Sequence, residues 1–257
     1  MSSERIAFSI EQSVARIVLA NPANRNAIDR SFILEFAAAA MECAAAAELT
    51  AIVLSARGDW FCAGGDLRAF LAHRDTIGDY VRSLAEMFHA AVLALRRATA
   101  PVIAVVGGTA AGAGFSLACG ADLVVASTAA RFVSAYTSSG LTPDGGGTFF
   151  LPHIVGRRTA FDLMATNPVL SAEEAKALGI VSRVVAPEAL EAAAEALVAQ
   201  LAAQPPGAVA GLKALLRRGE DAELSAQLRA EVDSIARLAA SPTTLARLEQ
   251  FLTRKAR

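Results

Sequence analysis

Between Pro101 and Ser116 the unbroken apolar run Pro101-Val-Ile-Ala-Val-Val106 gives way to Gly107-Gly108-Thr-Ala-Ala-Gly112-Ala113-Gly114, and an apolar stretch resumes at Phe115. The first part has the pattern of a strand buried on both faces, and the last part reads as a helix. Side chains this small at the junction suit a chain that passes from a sheet straight into a closely packed helix. Such a passage leaves N–H groups uncovered at the helix N-terminus, where they can hold an anion or an oxyanion. A second strand-to-helix passage of small residues occurs at Phe61-Cys62-Ala63-Gly64-Gly65-Asp66-Leu67. A lone carboxylate, Asp144, then stands among glycines in Leu141-Thr142-Pro143-Asp144-Gly145-Gly146-Gly147. Together these pieces suggest the electrophilic and basic halves of one site.

The rest of the chain alternates in the same way. Residues 5–19 read as a hairpin, 21–26 as a turn-rich loop, and Asp29 caps a helix expected to run to about residue 49. Strands are expected at 51–55, 122–126, 131–135 and 180–185, with helices at 76–97, 146–155 and 157–165. Ser171-Ala-Glu-Glu174 is a capping-box pattern that opens a further helix, with Gly179 as its stop. From Pro187 onward the pattern is helical in four pieces, punctuated by Gln204-Pro-Pro-Gly207, Gly219 and Ser241-Pro242. Alternation of this kind predicts an α/β protein with parallel strands, helices covering the sheet, and a helical C-terminal region. We divide the chain into a core carrying the active site, 1–186, and a helical lid or oligomer interface, 187–257. No internal sequence repeat is visible.

Composition narrows the function classes. With 24 basic and 25 acidic residues the net charge is −1, which argues against a broad nucleic-acid footprint. The three cysteines, Cys43, Cys62 and Cys119, show neither pairing nor metal-site spacing, and His73, His89 and His153 are scattered, so no metal is expected. The polar start lacks an apolar signal segment, and no uncharged apolar run approaches the ~18 residues of a membrane span. A cytoplasmic protein with no membrane or nucleic-acid partner is expected. Gly107–Gly114 does not fit a dinucleotide fingerprint, no Gly-Lys-Ser/Thr follows to make a P-loop, and Ser116 lacks a nucleophile elbow.

Taken in order, the motifs resemble the crotonase superfamily, also called the enoyl-CoA hydratase/isomerase family. The resemblance runs through Leu19–Ala27, Phe61–Leu67, Pro101–Gly114, Leu141–Thr148 and Ser171–Val181, nearly the whole chain. It implies a ββα spiral core with a helical C-terminal region, in trimers that often pair into hexamers. It also implies an acyl-CoA thioester substrate, with coenzyme A carried by the substrate and no separate cofactor. The thioester oxygen would take hydrogen bonds from the backbone N–H groups of Ala63 and Ala113. Substrate contacts would come from Arg25, Ala27, Gly64, Gly65, Asp66, Leu67 and Gly112, with Arg254 or Lys255 reaching a neighbour's ligand.

The departures from the family pattern bear on the reaction. Where the family's hydratases carry two glutamates, this chain has Ser116 and Tyr136, and neither is a base at neutral pH. Asp144 falls where several of the family's isomerases carry their carboxylate, the Δ3,Δ2-enoyl-CoA isomerases and the ring-1,2-epoxyphenylacetyl-CoA isomerases among them, whose Pro-Asp-x-Gly-Gly-Thr run is close to Pro143–Thr148. One carboxylate suffices for a 1,3-proton shift. The 4-chlorobenzoyl-CoA dehalogenase branch also has an aspartate there, used as a nucleophile and aided by a histidine and an aromatic that map to His89 and Tyr136. An enoyl-CoA isomerase is therefore the leading expectation. Alternatives are a dehalogenase-like hydrolase, a 2-enoyl-CoA hydratase, a silent acyl-CoA binder and, last, an RNA-binding relative, for which helix 30–49 offers Arg30 but no lysine.

Overall fold

The computed structural model describes residues 5–205, 207–218 and 220–254. Strands β1 (Ile6–Glu11) and β2 (Val14–Leu19) form the expected hairpin, turned by Gln12 and Ser13 at positive φ. With β3 (Ala51–Ala56), β5 (Val102–Val106), β7 (Leu123–Ser127) and β10 (Arg183–Val185) they make a six-stranded sheet of order β1-β2-β3-β5-β7-β10. Every pairing in it after the hairpin is parallel. A second, four-stranded sheet has the order β4-β6-β8-β9, from β4 (Trp60–Cys62), β6 (Thr109–Ala111), β8 (Arg131–Val133) and β9 (Leu170–Ser171).

The two sheets are linked by a repeating path. A strand of the large sheet turns into a strand of the small one, and a helix follows. So β3 and β4 lead to α2 (Leu67–Ala72) and α3 (Ile77–Arg97), and β5 and β6 lead to α4 (Ala113–Gly120). In the third round β7 and β8 lead to α5 (Gly147–Val155) and α6 (Arg157–Thr166). The repeat lies in the backbone path, which explains why no sequence repeat marks it.

Helix α1 (Arg30–Ala45) starts where Asp29 accepts the N–H of Phe32 at 2.8 Å, while the same carboxylate pairs with Arg5. Helix α7 (Ala172–Ala177) has the full capping box of Ser171 and Glu174. After β10 the described residues hold four helices, α8 (Leu190–Ala202), α9 (Ala208–Leu216), α10 (Asp221–Ala239) and α11 (Pro242–Arg254), as expected; Gly219 lies outside them.

Alternate residues of the parallel strands face opposite sides of the large sheet. Val53, Ile103 and Val125 pack on Ala194, Leu197 and Val198 of α8. Ile52, Leu54, Ala104 and Val124 face the main core, where Phe32, Phe36 and Phe88 meet. Each fully buried phenylalanine of this kind contributes about 2–3 kcal/mol. Leu224, Leu228, Val232, Ile235 and Leu248 belong to the same cluster, so α10 and α11 share the main core with residues 6–181.

Several elements differ from the sequence reading: α1 ends at Ala45 rather than near residue 49, and β8 ends at Val133 rather than residue 135. The passage from β5 to α4 contains the extra strand β6, which pairs with β4 and β8. The last strand begins at Arg183 rather than residue 180, because the N–H groups of Ile180 and Val181 are held by the Ala175 carbonyl at the end of α7. No described helix is long and apolar enough to cross a membrane.

Candidate active site

The two small-residue passages meet backbone to backbone. Gly64, at φ +85°, sits so close to the second passage that a Cβ there would lie 3.1 Å from the Ala111 carbonyl oxygen and 3.3 Å from the Ala113 nitrogen. A side chain at this point would force apart the end of β4 and the start of α4. Beside them opens a cavity of about 430 Å³, lined by both passages, by Tyr136 and Asp144, by Leu84, Ala85 and Phe88 of α3, and by Ile235, Phe251 and Leu252 of α10 and α11. Its wall is apolar along the helices and polar where the passages and the loop at Asp144 converge.

Ala113 is the first residue of α4, and its N–H has no acceptor among the described residues. The expected partner donor, Ala63, is a correction: its N–H is engaged by the carbonyl of Arg25 at 3.1 Å. Among the described residues, an unengaged N–H of the same passage is that of Gly65. Ile28 bridges the chain on either side of Gly65, through Ile28 N–H to Gly64 O at 2.8 Å and Asp66 N–H to Ile28 O at 2.9 Å. Alternation along this extended segment turns the Gly65 N–H the other way; it too lacks an acceptor among the described residues and borders the cavity.

Asp144 is buried, and burial pushes its carboxyl up to about 6, against the opposing effect of a hydrogen bond from Tyr136. The Tyr136 hydroxyl donates to Asp144 Oδ1 at 2.5 Å, and the Ser116 hydroxyl lies 3.3 Å from the same phenol oxygen. Burial first, then the charge of Asp144 and the hydrogen bond to it, keep the phenol protonated well above the usual tyrosine range. Oδ2 of Asp144 accepts no hydrogen bond among the described residues. Ser116 is buried beneath Tyr136 and does not line the cavity.

His89 lies behind the loop rather than in the cavity wall. Its Nε2 accepts the N–H of Gly145 at 2.8 Å, so that nitrogen carries no proton. Burial lowers its pKa to about 4, with the Leu228 carbonyl partly offsetting this, so the ring is neutral near pH 7. The 3.6 Å approach of Nε2 to Glu231 Oε2 is therefore not an ion pair at that pH.

Of the other residues expected at the substrate, Arg25, Ala27, Gly64, Gly65, Asp66, Leu67 and Gly112 all border the cavity. Asp66 is committed to structure there: Oδ1 caps α2 through the N–H groups of Arg68 and Ala69, and Oδ2 accepts from Asn24. Lys255 and the side chain of Arg254 lie outside the described residues. The sequence reading missed Arg68 and Trp60, which border the cavity with Arg25; the Arg25 guanidinium sits 5.2 Å from the Trp60 ring centroid. It also missed Glu231, a buried carboxylate of α10 pushed up to about 7 by burial, against hydrogen bonds from Thr148 and Gly146. A signal was present. Leu224, Leu228, residue 231 and Ile235 form one helical stripe, and Glu231 is the charge that interrupts it.

Residues 9–255 match the family described as enoyl-CoA hydratase/isomerase, and the chain belongs to that family. It is 35% identical over 237 residues to a 1,2-epoxyphenylacetyl-CoA isomerase of Escherichia coli (strain K12), covering 90% of this chain and 88% of the relative. It is 30% identical over 257 residues to 4-chlorobenzoyl coenzyme A dehalogenase-2 of an Arthrobacter species, covering 100% and 93%. Among solved structures, an enoyl-CoA hydratase from Mycobacterium avium subsp. paratuberculosis K-10 superposes with a TM-score of 0.88 at 28% identity, covering 97% and 96%. These relatives carry three different reaction names, so membership alone leaves the reaction open and the residues of this site must discriminate.

Proposed function

We propose that this chain is an acyl-CoA-processing enzyme, an enoyl-CoA isomerase that moves a double bond by proton transfer through Asp144. The observation that carries the reading is the cavity-facing, half-tethered carboxylate of Asp144, opposite two unengaged N–H groups at Gly65 and Ala113. The thioester carbonyl oxygen of a 3-enoyl-CoA accepts from those two donors. Asp144 Oδ2 removes a proton from C2, the electrons move onto the thioester oxygen, and the resulting dienolate is held by the same donors. The protonated carboxyl then returns its proton to C4, leaving the 2-enoyl-CoA and a regenerated base. A carboxylate raised to about 6 by burial is a stronger base than one in water and is still ionised at pH 7. Arg25 and Arg68, exposed at the cavity mouth, suit the phosphates of coenzyme A.

Two features weigh against the alternatives. Hydration through two carboxylates lacks its second group, because the two glutamate positions hold Ser116 and Tyr136, which bond to one another, and Tyr136 in turn to Asp144. Dehalogenation aided by histidine is disfavoured because His89 holds the Gly145 N–H outside the cavity. The test is a panel of 3-enoyl-, 2-enoyl- and 4-halobenzoyl-CoA, with Asp144→Asn as the control. Isomerisation of the first, reduced by at least about 10³-fold in the variant, supports the reading. Halide release, hydration, or a variant that keeps most of its rate sinks it.

A further inference from the structure

Three polar residues of α10, Gln227, Glu231 and Ser234, stand at i, i+4 and i+7, hence on one helix face. All three are bonded to the segment that carries Asp144. Gln227 Nε2 donates to Thr148 Oγ1 at 2.6 Å. Glu231 Oε2 accepts the Gly146 N–H at 2.8 Å, and Oε1 accepts the Thr148 N–H at 3.0 Å together with the Thr148 hydroxyl. Thr142 Oγ1 donates to Ser234 Oγ at 3.0 Å. The attachments therefore flank Asp144 on both sides.

The segment needs such attachments. Gly145, Gly146 and Gly147 give the backbone after Asp144 the least intrinsic rigidity a chain can have, and Gly145 and Gly146 stand at positive φ. What holds it is external: His89 from α3 takes the Gly145 N–H, and Glu231 takes those of Gly146 and Thr148. Burying a carboxylate this deeply is costly, and its hydrogen bonds to the loop are what offset the cost. One turn beyond Glu231, Ile235 lines the cavity. The helix turn that touches the cavity thus directly follows the turn that holds the loop of Asp144.

We infer that α10 is a positioning element for Asp144, with Glu231 as its central positioning residue, so that the C-terminal region takes part in catalysis through the loop and not only as a cover. The kinetic side of this inference rests on the isomerase reading; the mechanical side does not. Glu231 does not line the cavity, so its effect passes through the 142–148 backbone.

The experiment compares the wild-type chain with Glu231→Ala and the milder Glu231→Gln, which keeps the shape and one acceptor oxygen. Four quantities are read: amide hydrogen exchange at residues 145–148, the affinity for a saturated acyl-CoA, and kcat and KM on 3-enoyl-CoA. The expected result for Glu231→Ala is about tenfold or greater loss of exchange protection confined to that segment. A fall in kcat of about 10²-fold should accompany it, with KM and acyl-CoA affinity within about threefold of wild type. Glu231→Gln should fall between the two, and it stands in if the alanine variant does not fold. Unchanged protection at 145–148 in a folded variant overturns the inference, as does a loss expressed only in KM. An inactive wild type, or an active Asp144→Asn, would instead overturn the isomerase reading, and the exchange measurement would still decide the role of Glu231.

Discussion

The phenol of Tyr136 donates a 2.5 Å hydrogen bond to Oδ1 of Asp144, so the carboxylate that faces the cavity is tethered by one oxygen and open at the other. Burial raises this carboxyl and the tyrosine opposes it, leaving it at about 6. A base works only when ionised. Hence kcat/KM for isomerisation should climb as pH rises through about 6 and level off above it. A pH–rate profile with that acid limb is the expected outcome; a limb near the ordinary aspartate value would mean that the free carboxyl is not in this environment.

Replacing Tyr136 by phenylalanine removes the donor but keeps the ring that fills the core. The hydrogen bond favours the ionised form, so its loss should move the acid limb to higher pH by roughly one unit, while the rate on the high-pH plateau falls. The ring itself contributes packing that phenylalanine retains, so above about pH 7 the thermal midpoint should fall only by the few degrees that a one-unit shift, about 1.4 kcal/mol, is worth. A profile that does not move would show that Tyr136 is only a wall of the cavity.

Much of the fold was legible because it is written in local pattern. The buried run Val102–Val106, the capping box at Ser171 and the four C-terminal helices occur where periodicity and capping residues place them. Boundaries failed where a tertiary partner decides, as when the Ala175 carbonyl takes the N–H groups of Ile180 and Val181 and delays β10. At the site, residue types pointed to small-residue passages and to Asp144. They could not say which N–H groups are unengaged, since that depends on the Arg25 carbonyl across a loop and on Ile28 beside Gly65. Glu231 was unreadable as a partner of the loop because 83 residues separate it from Thr148, although its intrusion into an apolar stripe could be seen.

Ala113 offers a way to delete one donor of the proposed oxyanion hole without deleting a side chain. It is the first residue of α4, where proline is tolerated because the N–H there has no helical partner. Ala113→Pro should therefore fold and lose about 10²–10³ in kcat, the effect of removing one donor to an oxyanion. The matching change in ground-state binding should be much smaller, because the charge on the thioester oxygen develops only as the proton leaves. If Ala113→Pro folds and turns over at the wild-type rate, the hole is not where the two passages meet.

His89 separates the isomerase and dehalogenase readings through stability as well as rate. Its folded pKa is lowered to about 4 by burial, against an ordinary value of 6.5, so the fold favours the neutral ring. Above 6.5 the ring is neutral in both states and its contribution is whole. As pH falls from 6.5 toward 4 the unfolded chain takes up the proton first, and roughly 3 kcal/mol of stability drains away. Asp144 and Glu231, raised by burial, act in the opposite sense and regain stability over the same acidification. The wild-type curve thus mixes the two, and a difference against His89→Gln isolates the histidine. Glutamine can still accept the Gly145 N–H through its amide oxygen. Its stability relative to wild type should improve steadily between pH 6.5 and 4 in denaturant titrations, with isomerase kcat at pH 7 within about threefold of wild type. A glutamine variant that folds, binds acyl-CoA and loses about 10³-fold in rate would instead place His89 in the chemistry.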